Sequence, residues 1–242
     1  MDNTVIVPMR SNSKGLKNKN IKDFNGLPLY FWTIKKLYNL LYTGKVTKII
    51  VSSDSDWYLD RVKTSFSFMK EDELILSKRP DELSTDVTTT EEVCLHELKK
   101  HGINSGILSI IEVTSPLITM DALSFMMSVL NDVGIDSSFL VYKDIGQYWK
   151  CNKKNDYKWE KLYIDRKMRQ EEDFPLFREV GAWAIKVDKF KKCKNRIVDP
   201  CIPIVIEKEY GISINSFEEF RYAEDLMKDL APQVFKDLGI YK

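Results

Sequence analysis

The sequence predicts a three-layer α/β fold with a mostly parallel sheet. Short runs of β-branched residues alternate along the chain with stretches that carry a helical stripe of apolar residues. The run at 106–113 gives the strongest signal for a buried strand. Alternating strands and helices are typical of a parallel sheet whose two faces are covered by helices.

The predicted strands are short and mostly apolar. The first, at 5–7, is stopped by Pro8. The remaining strands are expected at 46–51, 74–76, 106–113, 137–142, 180–187, 205–206 and 212–214.

Helices are predicted between these strands. The first begins at Pro28 and carries apolar residues at 30, 34, 37, 38 and 41. The second runs to about residue 66 with Asp54 as its N-cap. The third runs to about residue 100, and Thr88 with Glu91 fits a capping box at its start. Two more are expected at about 119–131 and 217–230.

Composition narrows the class of protein. Of the 242 residues, 43% are hydrophobic and 30% are charged, so the chain can build a core. Its 37 Lys and Arg against 36 Asp and Glu give a formal charge of +1, which argues against a generic nucleic-acid-binding surface and a nucleic-acid partner. No run of about 18 apolar residues occurs, so we expect no membrane span.

The cysteines and the N-terminus indicate a compartment. Four cysteines stand at positions 94, 151, 193 and 201, none of them in a CxxC pair, and only two histidines accompany them. This spacing argues against a structural zinc site and fits a reducing environment. The first ten residues lack the basic and long apolar regions of a signal peptide. We therefore expect a cytoplasmic protein.

One segment breaks the strand–helix rhythm. Residues 144–178 contain aromatic and charged side chains without a helical period, which favours an inserted hairpin or arm. Because no repeat or linker is visible elsewhere, we expect a single domain over 1–242 with 144–178 inserted. Aromatic side chains in such an arm are typical of a surface that a second subunit covers, so a homodimer is predicted.

A basic loop follows the first strand. Residues 10–22 carry five positive charges and no acid. Ligands of open α/β sheets bind at the carboxyl ends of strands, and the small residues Ser11, Ser13 and Gly15 allow backbone N–H groups to turn towards an anion. Neither a GxxxxGK[ST] loop nor a GxGxxG fingerprint is present. A phosphate site and a merely solvated basic loop both remain open from these residues alone.

The loop and five later motifs carry a family resemblance. Arg10, Ser13, Lys14, Lys19 and Asn20 match the pattern A-R-x-x-S-K-x-x-x-x-K-N. Further matches occur in order at 25–29, 51–54, 79–86, 114–117, and 177–178 with 181–182. In these motifs the sequence resembles the acylneuraminate cytidylyltransferases, the CMP-sialic acid synthetases.

The resemblance implies a Rossmann-like nucleotidyltransferase fold and a reaction. CTP would transfer CMP to the anomeric hydroxyl of a nine-carbon 2-keto acid sugar and release pyrophosphate. Magnesium is the implied cofactor, and the inserted segment is implied to form the dimer. The implied nucleotide-binding residues are Arg10, Ser11, Asn12, Ser13, Lys14, Lys19, Asn20, Arg79 and Thr90, with Arg10 and Lys19 as catalytic cations. The implied sugar-binding residues are Glu112, Thr114, Ser115, Lys150, Arg169 and Arg178.

The sequence departs from the family pattern at the metal site. The family has two aspartates in an I-D-I-D-T segment, where this chain has Ser213 and Asn215. The side chains of Ser213 and Asn215 are neutral, and neutral side chains bind magnesium poorly compared with carboxylates. In addition, Glu112 stands where the family has a Gln. Three interpretations follow: the triphosphate holds the metal, Glu112 supplies a carboxylate, or the chain is a non-catalytic nucleotide-binding paralogue with a regulatory role.

Overall fold

The computed structural model describes residues 1–11, 15–132, 134–144, 148–152, 158–162 and 176–238. The strands are β1 (Asn3–Pro8), β2 (Asp23–Phe24), β3 (Leu27–Pro28), β4 (Lys48–Ser53), β5 (Leu74–Lys78), β6 (Ile107–Ile111), β7 (Ser137–Asp144), β8 (Trp149–Asn152), β9 (Lys158–Lys161), β10 (Leu176–Lys186) and β11 (Cys201–Ile206). The α-helices are α1 (Leu29–Tyr42), α2 (Asp56–Ser65), α3 (Thr90–Lys100), α4 (Met120–Ser128), α5 (Val187–Cys193) and α6 (Phe217–Leu238).

A seven-stranded sheet organises the described residues. Its order is β11-β7-β10-β6-β1-β4-β5. Strand β10 is antiparallel to β6 and β7, and the other neighbouring pairs are parallel. The predicted three-layer α/β fold with a mostly parallel sheet is therefore confirmed.

Side chains of the central strands alternate between two cores. Val5 and Val7 of β1 pack in a cluster with α1, α2 and α4, whereas Ile6 packs in a cluster with α3 and α5 on the other face. All three side chains are fully buried, which explains why β1 reads as a continuous apolar run rather than an alternating one.

A third cluster attaches the last helix. The α6 residues Phe220 and Met227 pack with Trp32 of α1 and with Ile214 in the segment before α6. Phe24 stacks edge-on against Phe220, with 5.4 Å between the ring centroids. Because this cluster lies where the chain reaches α6, it fixes the segment 212–216 against the body of the protein.

A buried lysine connects α1 to the loop after β6. Lys36 is 2% exposed, and its Nζ donates hydrogen bonds to the carbonyl oxygens of Pro116 at 2.5 Å and Ile118 at 2.6 Å. A buried ammonium is stable only when polar groups replace its water. Lys36 therefore holds the loop that begins with Thr114.

Several local predictions need correction. Ser55, not Asp54, caps α2, because Ser55 Oγ accepts from the Tyr58 N–H. The capping box of α3 is formed by Thr89 and Glu92, one residue after the predicted pair. The predicted strand at 212–214 is irregular chain, and α6 extends eight residues past its predicted end at 230, to Leu238.

The inserted segment contains a hairpin where it is described. Strands β8 and β9 pair antiparallel, with Trp149 opposite Lys161. This agrees with the hairpin predicted within 144–178. In the described part of the chain, no helix combines the length and apolarity needed to cross a bilayer.

Candidate active site

Among the described residues, two cavities lie at the carboxyl ends of the parallel strands. The first cavity has a volume of about 280 Å³ and collects residues that directly follow β1, β5 and β6. It is lined by Pro8, Arg10, Lys19, Asn20, Arg79, Leu83, Thr85, Asp86, Thr88, Thr89, Thr90, Val93, Glu112, Val113, Thr114 and Asn215. This edge of the sheet is where open α/β folds bind ligands.

Arg79 is a buried residue of the first cavity's lining. Its backbone N–H donates to the Ser53 carbonyl at 3.0 Å, which prolongs the pairing of β4 with β5. Only 3% of the residue is exposed, and its Nε and Nη2 atoms are buried without a hydrogen-bond partner among the described residues. Burial lowers the pKa of Arg79, and the carboxylates of Asp54 and Glu97 oppose that shift. Buried donors of this kind are rare and point to a ligand rich in acceptors.

Arg10 begins the basic loop and lines the same cavity. Its Nη1 donates to the Thr85 carbonyl at 2.8 Å and to Asp86 Oδ1 at 3.1 Å. Asp86 is half exposed, so this ion pair contributes little to stability. Arg10 is therefore positioned by weak partners that an anionic ligand can replace.

The two ends of the loop are tied to the sheet. Asp54 accepts hydrogen bonds from the backbone N and the Oγ of Ser11, at 2.8 and 2.6 Å. Buried Asn20 donates from Nδ2 to the Arg10 carbonyl at 2.9 Å. Asp54 thus orders the loop instead of capping a helix. The predicted loop residues Asn12, Ser13 and Lys14 lie outside the described residues.

Lys19 joins the loop to the segment before α6. Its Nζ donates to the Ile214 carbonyl at 2.6 Å, and the residue is half-buried. Burial lowers the pKa of Lys19, and the negative charges of Glu112 and Glu219 oppose that shift. Lys19 therefore both lines the first cavity and connects the basic loop to Ile214 through a hydrogen bond.

The segment 212–216 separates the two cavities. The Ile214 N–H donates to the Thr114 carbonyl at 2.8 Å. The N–H groups of Asn215 and Ser216 donate to Glu219 Oε2 at 2.7 and 3.0 Å, while the Glu219 N–H donates to Ser216 Oγ at 3.2 Å, a capping box for α6. Asn215 lines both cavities.

A glycine of the basic loop lies against this segment. A Cβ at Gly15 would overlap the carbonyl oxygen of Asn215. Only a residue without a side chain fits that close approach. The glycine at position 15 therefore allows the basic loop and the segment 212–216 to stay in contact.

The second cavity has a volume of about 460 Å³ and lies on the other side of Asn215. Asp144, at the end of β7, forms salt bridges with Arg178 Nε at 3.4 Å and with Lys208 Nζ at 3.7 Å. A hydrogen bond to Asp144 raises the pKa of Tyr148 to about 12. The cavity is lined by Tyr142, Asp144, Tyr148, Arg178, Glu179, Lys208, Gly211, Ile212, Ser213, Asn215, Glu219 and Tyr222.

The structure distributes the predicted sugar-binding residues over several places. Glu112 and Thr114 line the first cavity, where Thr114 Oγ1 donates to Glu112 Oε2 at 3.3 Å. Ser115 is buried, and its Oγ accepts from the Gly181 N–H at 3.3 Å. Arg178 lines the second cavity. The exposed Lys150 lies on β8 and is in the wall of neither cavity, and Arg169 is outside the described residues.

Sequence reasoning missed two groups of the second cavity. Lys208 stands between Glu207 and Glu209, a pattern typical of a solvated turn, and Asp144 reads as a strand end. No sequence signal connects these two positions, because their contact depends on the pairing of β11 with β7.

The donor set near 213 and 215 does not fit a magnesium ion held by the protein. Ser213 and Asn215 are neutral, Asn215 Nδ2 donates to the Ser213 carbonyl at 3.4 Å, and Glu219 is engaged by two backbone N–H groups. The Lys19 ammonium stands close enough to Glu112 and Glu219 to feel both charges. Within the described ranges, no group of three or more His, Cys, Asp or Glu side chains is arranged to hold a metal.

The chain is similar in sequence to proteins named N-acylneuraminate cytidylyltransferase. It is 26% identical over 221 residues to an N-acylneuraminate cytidylyltransferase of Streptococcus agalactiae serotype III (strain NEM316), which covers 89% of this chain and 51% of that protein. The chain therefore spans about half the length of the curated relatives it matches.

Solved structures share the fold at low identity. A CMP:2-keto-3-deoxy-manno-octonic acid synthetase complexed with CTP aligns with a TM-score of 0.64 at 12% identity, over 95% of this chain and 99% of that one. A 4-diphosphocytidyl-2C-methyl-D-erythritol synthase from Anaerococcus prevotii DSM 20548 aligns with a TM-score of 0.66 at 11% identity, over 94% and 98%.

The family model provides the assignment. The model described as cytidylyltransferase matches residues 4–168, which include the basic loop, Arg79 and the strand ends that build the first cavity. The similarity inferred from six motifs is thereby confirmed. The chain belongs to the cytidylyltransferase family.

Proposed function

We propose that the chain transfers CMP from CTP to a hydroxyl group of an acidic 2-keto sugar. The observation that carries this proposal is Arg79, a residue of the first cavity's wall whose buried Nε and Nη2 have no hydrogen-bond partner among the described residues. Cytosine offers a carbonyl oxygen and a ring nitrogen as acceptors, so it can satisfy both donors. Family membership supports the same ligand.

The triphosphate is proposed to lie along Arg10 and Lys19. Both line the first cavity with Arg79, against the acids Asp86 and Glu112, so the cations exceed the acids there by one. Thr90, at the start of α3, supplies a hydroxyl group and a helix N-terminus, both of which suit the polar edge of a bound nucleotide.

The proposed reaction joins the two cavities. The acceptor hydroxyl oxygen attacks the α-phosphorus of CTP, a new P–O bond forms, and the bond from that phosphorus to the bridging oxygen breaks. Pyrophosphate carries away the electron pair, and the hydroxyl proton passes to solvent. Charge neutralisation by Arg10 and Lys19 is the contribution expected of the protein, because phosphoryl transfers depend mainly on positioning and electrostatics.

The second cavity is proposed to bind the acidic sugar. It adjoins the first cavity at Asn215 and contains Arg178 and Lys208. The relatives named N-acylneuraminate cytidylyltransferase and the octonic acid synthetase both support an acidic sugar as acceptor. A nine-carbon sugar of the sialic type is the acceptor we propose.

Magnesium is proposed to enter with the nucleotide. Since Ser213 and Asn215 provide no carboxylate, the phosphates and water would supply most of its ligands. The same observation favours a second candidate function, a nucleotide-binding paralogue without turnover. The two functions differ in whether pyrophosphate is released.

Binding and turnover of CTP test the proposal directly. At CTP concentrations 100-fold above Kd, ligand binding adds about 2.7 kcal/mol to the free energy of unfolding. That gain raises Tm by about 5–10 °C for a domain of this size, and ATP should give a much smaller shift. Pyrophosphate should appear only when CTP and N-acetylneuraminate, or a related 2-keto acid sugar, are both present.

Two results would reject one or both of the proposed functions. CTP binding without pyrophosphate for any acceptor of a sialic, legionaminic, pseudaminic and octonic acid panel would favour the non-catalytic paralogue. No Tm shift at millimolar CTP would reject both functions.

Replacement of Arg79 should separate binding from stability. We expect Arg79→Met to weaken CTP binding about 10- to 100-fold, the effect of losing hydrogen bonds from a charged group. The free protein should keep its Tm or gain stability, because the substitution removes buried donors that lack partners. Calorimetric titration and thermal denaturation measure the two effects. Exposed Arg61→Met is the control, and CTP affinity equal to wild type in Arg79→Met would show that the base lies elsewhere.

Restoring carboxylates should change the magnesium requirement. We expect Ser213→Asp combined with Asn215→Asp to lower the magnesium concentration at half-maximal CTP binding and half-maximal rate. Two carboxylates offset the charge of the ion, whereas Ser and Asn offer only dipoles. A magnesium titration of CTP binding in wild type and double variant checks this. Identical midpoints would place the metal away from 213 and 215.

We also propose a homodimer built through 144–178. The described part of this segment exposes large apolar side chains: Trp149 is 52% and Trp159 is 62% exposed. Single exposed aromatics are common, but two on one short hairpin favour a covered surface. Light scattering at micromolar concentration should give twice the mass of the chain, and Trp159→Glu should shift it towards the monomer. A monomeric wild type would contradict the proposal.

A further inference from the structure

We propose that Lys208 acts with Arg178 to bind the carboxylate of the acceptor, and that Asp144 occupies their shared binding position until the acceptor arrives. This inference rests on the proposed function, because it assigns the acceptor to the second cavity. It adds two specificity-determining residues, Lys208 and Asp144, which family resemblance does not assign.

Asp144 shows that the two cations are spaced for one carboxylate. Its Oδ2 lies 3.4 Å from Arg178 Nε, and its Oδ1 lies 3.7 Å from Lys208 Nζ. The two cations come from different elements, β10 and the turn after β11, yet each faces a separate oxygen of the same group. A carboxylate on a sugar has the same size and charge, so it can take the same position.

The backbone around Lys208 is fixed by packing. β11 pairs with β7, and Ile206 lies opposite Tyr142 in that register. A Cβ on Gly211 would stand 2.5 Å from Tyr142 Cδ1, so only glycine lets this turn approach the β7 side chain. Lys208 Nζ lies 5.8 Å from the centroid of the Tyr142 ring. These contacts hold the turn in place beside the cavity.

The other acids of the second cavity have partners of their own. Glu179 Oε2 accepts from Trp183 Nε1 at 3.0 Å. Glu219 Oε2 accepts the N–H groups of Asn215 and Ser216. Among the acids described there, Asp144 is the one that faces both cations, so it is the group that an incoming carboxylate must replace.

The exchange explains how the cavity rejects neutral acceptors. Replacing one carboxylate by another keeps both cations paired, and Tyr148 provides a hydrogen bond that can stay with Asp144. A sugar without a carboxylate leaves Asp144 in place and gains no ion pair. Asp144 thus competes with an acceptor carboxylate and lowers its affinity, while a neutral acceptor gains nothing from the two cations because Asp144 stays paired with them.

The test measures acceptor binding without requiring turnover. N-acetylneuraminate and its methyl ester, which lacks the charge, are titrated against the protein in the presence of CTP by saturation-transfer NMR and calorimetry. Lys208→Met should weaken binding of the acid about tenfold, with CTP affinity unchanged. Asp144→Asn should strengthen binding of the acid about three- to tenfold. Wild type should bind the ester at least tenfold more weakly than the acid.

Matched variants control for folding and surface charge. Lys228→Met removes a lysine of α6 that is paired with Asp225, and it should leave acceptor affinity unchanged. Lys208 has 54% of its side chain exposed, so Lys208→Met should keep the wild-type Tm even if Asp144→Asn unfolds.

The outcomes separate this inference from the proposed function. Loss of acid binding in Lys208→Met supports the inference even if no pyrophosphate is released, a result that would reject only the transferase activity. Unchanged acid affinity in Lys208→Met, equal affinity for acid and ester, or no acid binding by wild type would overturn the inference while leaving CTP binding intact.

Discussion

The backbone of Ile214 is held from two directions, and the arrangement of the site depends on these bonds. Its N–H donates to the Thr114 carbonyl at 2.8 Å, and its carbonyl accepts from Lys19 Nζ at 2.6 Å. Its side chain is fully buried in the α6 cluster. Together these contacts connect the basic loop, the loop after β6 and α6 at one residue, so that Asn215 forms the wall between the two cavities.

Most of the cations around this junction already have partners. Arg10 is paired with Asp86, Lys19 is bonded to a carbonyl, and Arg178 and Lys208 share Asp144. Ligand binding by these groups is then an exchange of partners, which favours ligands of matching charge and shape over any anion. Arg79 differs, because two of its buried donors are unpaired in the described structure. Hydrogen bonds to Arg79 should therefore contribute the most to the binding free energy of a ligand.

The sequence predicted the features that local pattern determines. Runs of β-branched residues predicted most strands of the sheet, and the charge of the loop at 10–22 favoured a phosphate site without excluding a merely solvated loop. Local pattern failed where distant residues decide. Asp54 binds Ser11 instead of capping α2, and the apolar run at 212–214 bonds to Thr114 and Lys19 rather than to a neighbouring strand. The pairing of Lys208 with Asp144 is equally non-local, so no local sequence pattern predicts it.

A crystal structure with CTP and a 2-keto acid sugar would show whether the two substrates meet across Asn215. We expect cytosine against Arg79, phosphates along Arg10 and Lys19, and the sugar carboxylate between Arg178 and Lys208, with the sugar hydroxyl directed at the α-phosphate. A nucleotide whose base lies away from Arg79, or a sugar bound outside the second cavity, would overturn this arrangement of the two substrates.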